Sequence, residues 1–471
     1  MEEMLFGFNC NYLQGEWLMA EKCDVLIIGA GTAGVYFGLQ MAKQGYSVVI
    51  VERHQRENVG KRLDIFHIDS DKFFKFGVPV PVEGDPDFCC ILEEGTSFSP
   101  AGKYPKIVKY PFHVLRLTPF LQRMFKLAES HGVKFEFKTE FIELTYTDGK
   151  ISGALVKQGE KRITYQSKLV VDASGIKAMV RTTLPQDYGV ENFSIQPDEK
   201  FYVVLRYIIW EDSQKPRTLT TEGWTFYKTW LAPSYHEKGA IIGVGATGSF
   251  EHAEEVLEDF FNTIELPLYK VDHMERGVTP YRRPPYSFVG DGFLCLGDSA
   301  CITKPFSGEG ITASWTLCQI AAEVAGEALQ RGDRLSQESL WEINVRYIKD
   351  QGAKFAGILA TIPSAANTTK KENSYLFRKD VIFSEEDLTD MNREFEMHLT
   401  TAKILKMFGV IILGLFTRNY SFSSLKALLK SVVVSGKIRS HYAAFPSSSE
   451  SFKSWSDTAE QLWEQAGVKM Q

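Results

Sequence analysis

Cysteine is scarce and poorly spaced for chemistry. The seven cysteines, Cys10, Cys23, Cys89, Cys90, Cys295, Cys301 and Cys318, are odd in number and contain no CxxC pair. That argues against a disulfide framework and against a zinc site. The nine histidines form no HExxH, so the metalloprotease helix is excluded. Basic charge is short as well: 53 Lys and Arg stand against 59 Asp and Glu, a net charge of −6. A nucleic-acid binder needs the opposite balance. Residues 1–22 open with Met1-Glu2-Glu3 and lack a basic stretch followed by an apolar core, so no secretory signal is read. Met19 is a candidate start, with residues 1–18 an extension expected to contribute little. The longest apolar run, 408–416, falls short of the ~20 residues that span a bilayer. A reduced, cytoplasmic chain is expected, with no metal, no nucleic-acid partner and no transmembrane helix.

What the chain does have is apolar bulk. Over 471 residues, 44% are apolar and 24% charged, the balance of a folded protein of two or three domains. Phe alone occurs 33 times, so large apolar surfaces must be buried or offered to an apolar ligand.

The first strong local signal follows Asp24. Val25-Leu26-Ile27-Ile28 reads as a strand covered on both faces. It enters Gly29-Ala30-Gly31-Thr32-Ala33-Gly34, then a helical pattern stopped by Gly45, then a second strand ending in Glu52-Arg53. The three glycines differ in role. Gly29 permits a tight turn, Gly31 lets the backbone approach a pyrophosphate closely, and Gly34 allows helix–strand packing. The helix start at Thr32 and Ala33 turns unsatisfied N–H groups toward the phosphates. Glu52, 23 residues after Gly29, can accept from both ribose hydroxyls, which disfavours a 2′-phosphate. NAD and FAD stay open at this point.

Two later segments bear on that choice. Lys168-Leu-Val-Val-Asp172-Ala-Ser-Gly175 is a strand and turn, with Arg181 six residues on. Phe293-Leu-Cys-Leu-Gly297-Asp298 is another, followed by Lys304-Pro305-Phe306-Ser307-Gly308-Glu309-Gly310-Ile311 and an apolar helix. The order GxGxxG, DxxG…R, GD and PxxGxG resembles the geranylgeranyl reductase family within the glutathione-reductase-like flavoproteins of aromatic-hydroxylase type. The resemblance spans most of residues 23–330 and implies FAD. It also implies an α/β fold with a discontinuous Rossmann-like FAD domain (20–75, 110–181 and 281–334). An inserted antiparallel-sheet substrate domain (76–109 and 182–280) and a helical C-terminal region (335–471) complete it. Asp298 can accept from a ribityl hydroxyl, Gly308 and Gly310 admit a flat ring, and the helix from Ile311 aims its positive end at that ring. Arg116 matches a family arginine near the flavin or pyrophosphate, and Arg62 is a second pyrophosphate candidate.

The segment Gly243-Val244-Gly245-Ala246-Thr247-Gly248 repeats GxGxxG, but no clean strand ending in an acid follows it. It is read as a substrate-domain strand, so electrons must come from an external nicotinamide or redox protein. Residues 201–210 and 223–231 read as aromatic strands. Trp230 and Pro233 match part of the family's YxWxFP lipid-pocket motif, while Lys228 and Ala232 depart from it. Lys304 is a further candidate for lining the site. The family's flavin-side cysteine is missing from Gly60-Lys61-Arg62-Leu63-Asp64. Cys295 and Cys301 are read as small buried hydrophobes.

The resemblance implies reduction of carbon–carbon double bonds in an isoprenoid-like, apolar substrate, with no acid–base residue named. Two alternatives stay open. One is a flavin monooxygenase, or a halogenase for which Gly223-Trp224-Thr225-Phe226 is a distant echo of WxWxIP. The other is a non-catalytic prenyl-binding escort protein. Residues 405–416, bracketed by Lys403, Lys406 and Arg418, are read as a core helix closing the substrate pocket. Peripheral contact with a membrane is the alternative for that helix.

Overall fold

The computed structural model describes residues 12–13, 16–211, 219–223, 227–305, 307–333, 335–362, 368–381, 384–394, 396, 398 and 400–467. Two sheets organise the chain. The first runs Val289–Gly290, Phe293–Cys295, Lys161–Asp172, Glu16–Ile28, Val48–Glu52, Lys134–Phe137, and its central strands are parallel. Val25, Leu26, Ile27 and the whole of Val48–Glu52 are buried, as a strand between two helical layers requires. The extension before Met19 does more than expected, because Leu18 pairs with Arg162 and lengthens the central strand.

Helices Thr32–Lys43 and Ile311–Gln330 are locked together on this sheet. The Trp315 indole lies 4.9 Å from the Tyr36 ring and donates to the Thr32 carbonyl at 3.1 Å. The Cys318 thiol faces the Ala33 carbonyl. A far-downstream helix thereby fixes the start of the first one.

The second sheet has eight strands, in the order Tyr269–Pro280, Lys200–Trp210, Gly239–Thr247, Tyr227–Pro233, Leu219–Gly223, Phe88–Phe98, Lys106–Arg116, Ile65–Asp69. All its pairs are antiparallel except Leu219–Gly223 with Phe88–Phe98. Ile65–Asp69 and residues 110–116 sit in this second sheet, on the other side of the breaks expected at 75/76 and 109/110. One face packs helix Phe250–Phe261 through Val204, Ile208, Ile242 and Val244. Alternation sends Leu205, Tyr207 and Ile241 to the opposite face, with Trp230 and Phe112 half-covered beside them. The second glycine motif lies in the middle of this sheet. A Cβ on Gly243 would come within 2.2 Å of the Trp230 ring, and one on Gly245 within 2.5 Å of Phe201. Those glycines make room for aromatic rings, not for a phosphate.

The C-terminal third is helical, and Ser384 caps Glu385–Arg393 through a reciprocal bond with Asp387. The reading of 405–416 as a core helix is corrected. In helix Thr401–Phe416 only Ile411 and Gly414 are buried, and Phe416 is 84% exposed. From Met407 to Phe416 the helix has no polar side chain, so composition alone does not say which side meets protein. Among the described residues no helix is long and apolar enough to cross a membrane.

Candidate active site

The fold brings the three glycine-bearing segments to one place. A Cβ on Gly29, at φ +112°, would lie 2.2 Å from the Ala173 carbonyl, and one on Gly34 would lie 2.2 Å from the Gly29 carbonyl. One on Gly297 would meet the Ala33 methyl at 2.9 Å. These three serve backbone packing. Gly31 differs: a Cβ there meets nothing within 4 Å, so the space above it is open. Helix Thr32–Lys43 begins at Gly31 with no side-chain cap, leaving the N–H groups of its first turn facing that space. Glu52 closes the other side. Its carboxylate accepts from the Ala30 N–H at 3.0 Å and the His54 N–H at 2.9 Å, and the residue is 8% exposed.

The Asp172…Arg181 segment supports this site without entering it. The Asp172 carboxylate accepts from the N–H groups of Ser174, Val180 and Arg181. Arg181 donates through Nε to the Ser299 carbonyl at 2.7 Å and stacks on Phe193. The pair therefore ties the strand end at Asp172 to the turn that carries Asp298.

Gly308 and Gly310 lie in a tight loop. The Lys304 N–H donates to the Glu309 carbonyl and the Gly308 N–H donates to the Lys304 carbonyl, each at 2.9 Å. Helix Ile311–Gln330 starts at Gly310, again without a side-chain cap. Around this loop, Thr279 Oγ1, Thr303 Oγ1 and Ser307 Oγ are buried with no hydrogen-bond partner among the described residues. Thr303 Oγ1 and Asp298 Oδ1 would lie 3.9 and 3.5 Å from a Cβ on Gly310. Burial pushes the Asp298 carboxyl up to about 6. A set of buried, unpartnered hydroxyls beside a desolvated carboxylate, around a glycine-bearing loop, suits a polyhydroxylated chain and a flat heteroaromatic ring. These residues fit FAD.

The other arginines are placed differently. Arg116 Nε donates to Asp64 Oδ2 at 2.9 Å, and its guanidinium lies 4.3 Å from the Tyr235 ring centroid. Burial pulls its pKa down, but the Asp64 hydrogen bond and charge carry it above the ordinary value. It is engaged by protein groups. Arg53 and Arg62 are exposed, with no ion pair among the described residues. Trp230 and Pro233 are half-buried on one strand, and Trp230 lies across Gly243. The Gly223–Phe226 echo falls largely outside the described residues. Cys295 and Cys301 are buried and free, and burial raises both thiols, as expected for inert hydrophobes.

A charged cluster stands beside the cradle, and Lys304 is the member that the sequence singles out. Lys304, 1% exposed, reaches Glu309 Oε2 at 3.3 Å, and His67 Nε2 lies 3.3 Å from Glu309 Oε1. Burial alone would raise the Glu309 carboxyl; Lys304 and His67 overcome this and hold it well below the carboxylate range. Lys228 adds to the same field from the substrate sheet. Asp69 is raised, first by burial and then by Glu309. The His67 ring stands 5.3 Å from Phe112, which belongs to the half-covered apolar face with Leu63 and Trp230. A titratable group thus sits where the ring cradle meets an apolar wall. Beyond Lys304, its trace in the sequence is the acid inside Gly308-Glu309-Gly310.

Residues 22–76 match the FAD binding domain family. The digeranylgeranylglycerophospholipid reductase of Sulfolobus acidocaldarius is 26% identical over 92% of this chain and 96% of its own length. The crystal structure of a geranylgeranyl bacteriochlorophyll reductase-like protein from Thermoplasma acidophilum superposes with a TM-score of 0.70. It is 18% identical, covering 84% of this chain and 99% of that one. A flavin-dependent brominase has the same fold, with a TM-score of 0.58 at 17% identity over 83% of this chain and 94% of its own.

Proposed function

We propose that this chain, an FAD-dependent oxidoreductase similar to the geranylgeranyl reductases, saturates carbon–carbon double bonds of a polyprenyl lipid. The observation that supports the substrate class is the half-covered wall of Leu63, Phe112 and Trp230, joined to the Gly308–Gly310 loop through His67, whose ring stands 5.3 Å from Phe112 and whose Nε2 lies 3.3 Å from Glu309. An extended apolar chain can lie on that wall with no polar group to satisfy, and its burial expels water from the cradle.

Bound FAD supplies two-electron, hydride-transfer chemistry. The chain would hold it through the first-turn N–H groups after Gly31 at the pyrophosphate, Glu52 at the adenosine ribose, and Asp298 with Thr303 at the ribityl hydroxyls. Gly308, Gly310 and the helix start at Ile311 would receive the ring. Helix Ile311–Gln330 places its positive end there, stabilising negative charge. Saturating an alkene also needs one proton. His67 Nε2 holds that proton, oriented by the Glu309 carboxylate, and its exposed edge takes up a replacement from water. Lys304 keeps Glu309 ionised, so that it stays an acceptor. An external nicotinamide or redox protein supplies electrons, and a lipid substrate implies working contact with a membrane. The test is single-turnover saturation of a geranylgeranyl lipid in D2O. Incorporation of solvent deuterium at the reduced bond, slowed in His67→Gln, is the expected result. Incorporation at an unchanged rate would remove His67 from the reaction.

A further inference from the structure

The helical hairpin Thr401–Phe416 and Phe422–Ala443 differs in surface chemistry from the rest of the chain. On its first helix Leu405, Phe408, Ile412, Leu413 and Phe416 are all exposed. At 100° per residue they fall within one arc of about 140°. On its second helix Phe422, Leu429, Val432 and Val433 are exposed on one face, at 77%, 47%, 52% and 56%. Lys426, Lys430 and Lys437 run along the edge of that face by the same spacing. The opposite sides of both helices are occupied. Ile411 packs with Tyr375, Leu376 and Val108, and Ser435 donates to the Gly357 carbonyl.

Charge separates in the same way. From 397 to 449 the chain has seven Lys or Arg and no Asp or Glu, although its net charge is −6. Three neighbouring carboxylates are spent on cations: Asp387 on Lys403, Asp380 on Lys106, and Glu396 on Arg439 and Lys354. Arg418, Lys426, Lys430 and Lys437 are exposed and make no ion pair among the described residues.

We propose that this hairpin is a docking surface for an anionic lipid bilayer, lying flat in the headgroup region with its basic edge against lipid phosphates. The helix of 16 residues is about 24 Å long, too short to stand across a ~30 Å hydrocarbon core but suited to lying in the interface. A second copy of this chain fits less well, because a two-fold contact would set one lysine edge against another. The inference rests on the lipid-reductase reading for its purpose, since a polyprenyl lipid must leave a bilayer to be reduced. It also supplies a route. Val108 and Tyr110 of strand Lys106–Arg116 pack under the hairpin, and two residues further on Phe112 belongs to the apolar wall.

The experiment is co-sedimentation of the FAD-loaded full chain with phosphatidylcholine vesicles, and with vesicles containing a third phosphatidylglycerol. Flavin absorbance is the readout of folded protein. Binding is expected only to the anionic vesicles, and 0.5 M NaCl should weaken it. Each basic residue near such a surface contributes roughly fivefold, so Lys426→Gln/Lys430→Gln/Lys437→Gln should weaken binding about a hundredfold. Phe416→Ser/Phe422→Ser should weaken it in both salt conditions while flavin content holds. Equal binding to neutral vesicles, or none by the wild type, would overturn the proposal. So would sedimentation of the wild type as a dimer that Phe416→Ser/Phe422→Ser dissociates. The variants are then given detergent-dispersed geranylgeranyl lipid. Loss of vesicle binding with reduction intact separates docking from chemistry. Vesicle binding without reduction by any variant or the wild type would sink the functional reading and leave the surface standing.

Discussion

Gly31 and Gly29 are two residues apart, yet substituting them should have opposite consequences. A methyl at Gly31 enters open space at an unstrained φ of −73°. Alanine is a poorer N-cap than glycine, but it also restricts the unfolded chain, and the two effects of about 0.5–1 kcal/mol oppose each other. The apoprotein of Gly31→Ala should melt within about 2 °C of wild type, since a change of 1 kcal/mol moves a large domain by about 2–4 °C. The same methyl stands where the pyrophosphate must approach the helix N–H groups. Losing one or two charge-assisted hydrogen bonds costs about 2–4 kcal/mol, a fall in FAD affinity of roughly 30- to 1,000-fold. Gly29→Ala, by contrast, drives a Cβ to 2.2 Å from the Ala173 carbonyl at φ +112°. Strain and overpacking together cost about 2–5 kcal/mol, and the apoprotein itself should melt several degrees lower. The assay is flavin-fluorescence titration of stripped protein beside a thermal melt of the same sample. If Gly31→Ala bound FAD within threefold of wild type, the pyrophosphate would not lie over that helix start, and the site assignment would fail.

Asp298→Asn should split stability from binding. The Asp298 carboxyl titrates at about 6 folded against 3.8 unfolded. Raising pH through that window therefore costs the apoprotein up to about 3 kcal/mol, less where water screens it. Apo Asp298→Asn should melt higher than wild type at pH 7.5 and equally at pH 4, while FAD affinity drops about tenfold for a lost charge-assisted bond; equal melting at both values would contradict this. His67→Gln should slow alkene reduction about a hundredfold, the usual worth of a general acid, with FAD content and melting temperature unchanged. Unchanged single-turnover rates would rule it out. Gly243→Ala should cost about 1–3 kcal/mol by displacing the Trp230 ring 2.2 Å away. Adding Trp230→Ala should recover part of that cost, and additive melts would show that the two do not touch.

Legibility follows sequence distance. The first βαβ unit can be read because its strand, glycines, helix and Glu52 all fall within about thirty residues and obey local periodicities. The three motif segments are legible one by one. Their convergence is not, because it depends on Trp315 bonding to Thr32 and on Arg181 reaching Ser299. The pairing of His67 with Glu309 leaves no signal on either side: His67 stands outside every motif, and Glu309 reads as a residue between two glycines. Resemblance points Arg116 at the cofactor, while its partner Asp64 sits in a loop whose one legible feature is the missing cysteine. The second GxGxxG is correctly set aside because its flanking strand is wrong, and the rings of Trp230 and Phe201 explain its glycines. Residues 405–416 read wrongly as core because a stretch without polar side chains from Met407 onward carries no marker of which side is covered.

The central claim is that reduced flavin in this protein gives its electrons to a prenyl double bond. It is tested most directly under strict anaerobiosis, by photoreducing the bound FAD and adding a geranylgeranyl lipid against a buffer control. Return of the oxidised flavin absorbance, matched one for one by lost double bonds, is the expected result. A flavin that stays reduced with the lipid present and reoxidises only when air is admitted would contradict the claim and favour oxygen chemistry on another substrate.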